Sequence, residues 1–99
     1  MIDVTTQETV LERGPQTELE LYELMLDHIG KTMRIRRRTM ELAGVLSLLS
    51  YDREWAQILF SFGKGEMLEV NTRHRVEVRL DGVWKVLSKG NPVNWELSL

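Results

Sequence analysis

The chain contains no cysteine. That excludes a disulfide framework, thiolate chemistry and any cysteine-ligated metal. The core must therefore come from packing alone. Histidine is nearly as scarce, with two residues. His28 falls near the end of an expected helix, where a positive imidazolium would be favoured by the helix dipole. His74 lies in the basic stretch Arg73-His74-Arg75. Their spacing suits no metal site, and none is expected. No apolar run approaches the length of a membrane span. The opening Met1-Ile2-Asp3-Val4-Thr5-Thr6 lacks the basic start and apolar run of a signal peptide. The expectation is a protein with no membrane partner, placed in the cytoplasm.

Catalytic signatures are missing as well. There is no Gly-x-Ser-x-Gly, phosphate loop or dinucleotide fingerprint. Gly63-Lys64-Gly65 lacks the following Ser/Thr and the strand-to-helix context of a phosphate cradle, and reads as a hairpin turn. Asp52 with Glu54, and Glu66 with Glu69, are acidic pairs beside turns. Paired-carboxylate chemistry needs a deep cleft, which a domain of this size rarely provides. The expectation is a non-enzymatic protein without cofactor or small-molecule substrate.

What is present is charge, unevenly placed. The formal net charge is −2 over 99 residues. Residues 1–30 carry seven acids against Arg13. Residues 31–40 carry Lys31, Arg34, Arg36, Arg37 and Arg38 and no acid. Beyond residue 40, eight acids face seven bases. A short basic run thus follows a strongly acidic one, and distribution matters more than the sum.

Residues 1–16 are polar, contain Gly14-Pro15 and show no sustained period. They read as a mobile or loosely docked tail, with a short strand at Ile2–Val4 or a helical turn at Thr9–Arg13 as alternatives. Residues 17–99 read as one domain. Thr17-Glu18-Leu19-Glu20 is a capping box, in which hydroxyl and carboxylate each accept from the other residue's amide. A helix over 18–29 follows, with Leu19, Tyr22, Leu26 and Ile29 as its apolar stripe, widened by Met25. Gly30 supplies the left-handed residue expected at its end.

The period then becomes two. Met33 and Ile35 oppose Arg34 and Arg36; residues 42–49 alternate; Ile58, Phe60 and Phe62 share a face; Leu68 and Val70 restart the pattern. Val76, Val78 and Leu80 alternate with Arg75, Glu77 and Arg79, and Asp81-Gly82 marks a hairpin returning through Val83–Leu87. Trp95–Leu99 fits a short edge strand. Gly44 marks an expected bend or bulge. The fold class expected is α+β, mostly β. An N-terminal amphipathic helix precedes a small antiparallel barrel of five to six strands. The layout looks like an SH3-like or Sm-like barrel.

Trp84, in phase with Val86, is expected in the core. Trp55 and Trp95 are weighed as exposed contact residues against packing on the barrel. Met25, Met33, Met40 and Met67 are expected as core gap-fillers. Arg36, Arg37 and Arg38 are expected to end a strand and open a loop, because Arg37 breaks the alternation. The arginines allow two structural outcomes. They pair with Glu18, Glu20, Glu23 and Asp27, or with Glu66, Glu69 and Glu77 across the sheet; or they are displayed to a partner. The function expected is protein contact or self-association, as an adaptor, accessory factor or inhibitor. Its candidate contact residues are Arg34, Arg36, Arg37, Arg38, Arg73, Arg75, Trp55, Glu20, Glu23 and Asp27. The alternative is an RNA- or DNA-binding barrel using the arginine cluster.

Overall fold

The computed structural model describes residues 14–63 and 65–91. The expected tail through residue 13, Lys64, Trp95 and the expected Trp95–Leu99 strand lie outside the described residues.

Helix α1 runs Glu18–Leu26 and begins as the capping box requires. The Glu20 amide donates to the Thr17 hydroxyl at 3.2 Å, and the Thr17 amide donates to the Glu20 carboxylate at 3.3 Å. The helix is shorter than the expected 18–29. Asp27 caps it, and residues 27–30 form turns. Gly30 does have positive φ, 92°, but its amide donates to the Leu46 carbonyl at 2.7 Å. Its left-handed geometry docks the post-helix turn onto the sheet region.

The buried side of α1 also differs from the expected stripe. Leu21 and Met25 are fully buried, whereas Leu19, Leu26 and Ile29 are exposed. Leu21 and Met25 are four apart and share a face. Leu19 and Leu26 lie on another. With leucine on both sides of the helix, periodicity alone does not choose the inner one. Tyr22 is half-buried against Tyr51, their ring centroids 5.5 Å apart.

Among the described residues seven strands follow, where five or six are expected in the chain: β1 Thr32–Arg37, β2 Met40–Val45, β3 Leu48–Asp52, β4 Gln57–Ser61, β5 Leu68–Val70, β6 Arg75–Leu80 and β7 Val83–Ser88. They form no closed barrel. A four-stranded sheet has the order β2-β1-β6-β7, and a three-stranded sheet the order β3-β4-β5. All pairings are antiparallel. Between the sheets and α1 lies one core of Leu21, Met25, Met33, Ile35, Leu46, Ile58, Phe60, Val70, Val76 and Val78. The helix contacts β3, β4 and β7 and so joins an edge strand of each sheet.

The single alternating run expected over 42–49 is two strands. Leu46 is buried, Ser47 and Leu48 are exposed, and Leu49 packs on the core. The alternation resets there because the chain leaves one sheet for the other. Gly44 marks no bulge, since β1 and β2 pair in unbroken register from Thr32↔Val45 to Arg37↔Met40. A Cβ at Gly44 would lie 2.8 Å from Phe62 Cβ and Cγ. The glycine makes room for a ring packed between the sheets. The register shift lies instead between Val76 and Glu77, opposite β7. Asp81 and Gly82 have φ of 52° and 78°, as the tight hairpin expected there requires. Met25 and Met33 fill the core, while Met40 and Met67 are exposed.

Candidate functional site

Side chains on a strand alternate between faces. On β1, Met33 and Ile35 enter the core, which turns Thr32, Arg34 and Arg36 to the opposite, outer face. The register then fixes their neighbours. Arg34 stands between Ala43 on β2 and Glu77 on β6, and Arg36 between Glu41 and Arg75. Glu77 is followed on β7 by Val86, and Arg79 by Trp84. Val45 pairs with Thr32. One sheet face therefore gathers Arg34, Arg36, Arg75, Arg79 and Trp84.

Glu77 organises this face. It is 5% exposed. Its two carboxylate oxygens accept from Arg34 Nε at 2.7 Å and Arg75 Nε at 3.2 Å. Burial alone would push the carboxyl up; hydrogen bonding and attraction from Arg34, and then Arg75, outweigh it and hold it below its usual value. The Arg34 guanidinium also stacks on Trp84, 4.2 Å from the ring centroid, and its pKa is raised further, chiefly by the bond to Glu77. Arg79 lies 5.6 Å from the same ring. Arg36 Nε donates to Glu41 at 2.9 Å at an exposed site. Each contact engages one of the five N–H donors of its guanidinium.

Trp84 is thus half-buried under arginines on the outer face, not in the core as expected. It is in phase with Val86, but on the face away from the core. Trp84, Arg79 and Glu77 complete the face, and the sequence reading did not select them as contact residues. The signal was present: once Val76 and Val78 face inward, period two sends Arg75, Glu77 and Arg79 outward together.

Arg37 does not break the alternation. It remains in β1, paired with Met40, and only Arg38 and Thr39 form the turn. Arg37 Nη2 donates to the Glu69 carbonyl at 2.5 Å, tying β1 to β5 of the other sheet. Arg38 is exposed on the turn. The Arg36↔Arg75 pairing brings that turn to the same end of the sheet as the loop containing Arg73. The Arg73 backbone is held there, its amide on Asn71 and its carbonyl accepting from Asn91. His74 Nδ1 accepts from the Asn71 amide at 3.3 Å. Burial lowers its pKa, assisted by Arg37. His28 is likewise lowered, first by burial and then by Lys31; its Nδ1 is buried without a hydrogen-bond partner among the described residues. The imidazolium expected for His28 is therefore disfavoured.

The helix acids stand apart from this cluster. Glu20 is engaged in the cap. Glu18 accepts from the amide and hydroxyl of Thr72, both at 3.0 Å. Glu23 and Asp27 are exposed. Among the described residues, no ion pair joins the helix to the arginines; the pairs formed are with Glu77 and Glu41. Trp55 is 75% exposed on the β3–β4 loop. Asp52 shapes that loop by accepting from the Glu54 and Trp55 amides at 2.9 and 3.3 Å. Among the described residues, no cluster of three potential metal ligands occurs, and no helix is long and apolar enough to cross a membrane.

No protein-family model, curated protein or solved structure matches this chain.

Proposed function

We propose that the chain is a non-enzymatic binding protein that engages an acidic protein partner through the outer face of its four-stranded sheet. The observation that carries this reading is the Arg34–Glu77–Trp84 assembly beside Arg36 and Arg79. Arginine and tryptophan are enriched where proteins meet. A guanidinium bonded to Glu77 and stacked on Trp84 has already lost rotamer freedom, so less is lost on binding. Val45 and Val86, 47% and 42% exposed, add apolar area to the same face.

Acidic polypeptide suits this surface better than nucleic acid. Glu41 and Glu77 interrupt the basic side chains, whereas phosphate recognition rests on an accumulation of unbroken positive charge. Mixed charge with apolar positions matches a protein surface, for which complementary charge sets specificity and association rate.

The test is fluorescence anisotropy of a labelled glutamate-rich peptide and of a single-stranded oligonucleotide of equal charge. The peptide should bind, more weakly as salt rises, and Arg36→Glu with Arg79→Glu should remove binding without loss of fold. Absence of peptide binding, or tighter binding of the oligonucleotide, would overturn the reading.

A further inference from the structure

We infer that the partner is a second copy of this chain, whose helix α1 lies on the outer sheet face of the first. This rests on the protein-contact reading above and names its occupant.

The solvent side of α1 is chemically matched to that face. With Leu21 and Met25 buried, α1 and its cap display Leu19, Glu23, Leu26 and Asp27. Helical spacing of three and four sets these residues in one strip. Acids and leucines are therefore intermixed on the helix, as arginines are with Trp84, Val45 and Val86 on the sheet. Glu23 and Asp27 have no ion pair among the described residues.

The dimensions agree. A helix of nine residues is about 13 Å long, and four strands side by side span about 14 Å. The contact cannot be made within one chain. Leu21 and Met25 anchor α1 in the core, on the opposite face of the sheet from the arginines. Each copy thus offers one helix and one face, a head-to-tail arrangement that adds subunits in series unless the rotation closes a ring. So small a footprint belongs with weak, transient interfaces, below about 1,200 Å² in total.

Sedimentation velocity of the full chain, over a series of protein and salt concentrations, tests this. The average mass should rise with protein concentration and fall as salt rises. Glu23→Lys with Asp27→Lys should weaken association at least about tenfold, as should Arg36→Glu with Arg79→Glu. Mixing these two variants should restore association, because the intact helix of one then meets the intact face of the other and the two reversed surfaces are again opposite in charge. Circular dichroism checks the fold of each, and the neutral pair Glu23→Gln with Asp27→Asn serves if the reversal does not fold. A wild-type chain that stays monomeric, a variant that alone associates as tightly as the wild type, or folded variants that do not pair when mixed would each overturn the inference. If the wild type is monomeric yet binds the glutamate-rich peptide through Arg36 and Arg79, only the self-contact falls. If peptide binding is absent too, both readings fall.

Discussion

The two faces of the four-stranded sheet come from the same strands and follow opposite physics. The inner face is Met33, Ile35, Val76 and Val78, all fully buried. The outer face sets Arg34, Arg36, Arg75 and Arg79 around Glu77 and Trp84. A shift of one position along any strand moves a residue from the dry side to the charged side. Stability should therefore concentrate on one face and recognition on the other, with Glu77 as the outer residue that belongs partly to both.

Substitutions can separate these roles. Met33→Ala removes a buried side chain from the core and should cost about 2–5 kcal/mol, read from urea denaturation. A cost below 1 kcal/mol, on the order of a surface change, would show that the inner face is not the stabilising one. Glu77→Ala strips the carboxylate from under Arg34 and Arg75 and should cost about 1–3 kcal/mol. It should also release Arg34 from Trp84, visible as a change in tryptophan fluorescence. An unchanged spectrum and midpoint would make Glu77 incidental.

Protonation gives a gentler probe. His28 and His74 have pKa values lowered from 6.5 in the folded chain. Between those lowered values and 6.5 the unfolded chain binds more protons, so stability falls as pH drops below 6.5. Glu77 adds a second loss at lower pH. Its folded pKa is lowered from 4.5, so its contribution is present above 4.5 and disappears as pH falls through the folded value. Denaturation midpoints across this range should decline in that order, and His28→Gln with His74→Asn should flatten the first decline. A wild-type midpoint level down to the carboxylate range would contradict it. The smallest stability effect is expected from Arg36→Glu, within about 0.5 kcal/mol. Comparable losses from Arg36→Glu and Met33→Ala would erase the distinction between faces.

Much of this architecture was legible in the sequence because local chemistry chose it. The Thr17–Glu20 cap, the Asp81-Gly82 hairpin and the inward Val76 and Val78 each follow from residues a few positions apart. Two failures share a cause, which is that period alone does not say which side is inside. Leucine on two sides of α1 left the buried stripe open, and Trp84 was set on the wrong face for the same reason. Closure into a barrel was inferred from short strands and Gly44. The glycine instead accommodates Phe62, a long-range contact that no local pattern announces. Arg34 and Arg36 were correctly seen as outward on the strand. Their partners Glu77 and Trp84 became evident only with the β1–β6–β7 register, which depends on segments distant along the chain.

That register has a kinetic consequence. β1–β2 and β6–β7 are hairpins between neighbours, and β3–β5 form a meander, yet β1 pairs with β6 across the whole of that meander. Closing a loop of about 40 residues costs on the order of 3 kcal/mol in chain entropy, and pairings of this kind slow folding. The Arg34–Glu77 bridge spans that seam. Removing it with Glu77→Ala should therefore slow refolding more than it speeds unfolding in stopped-flow denaturant jumps. Movement of the unfolding limb alone would mean that the seam closes only after the barrier has been crossed.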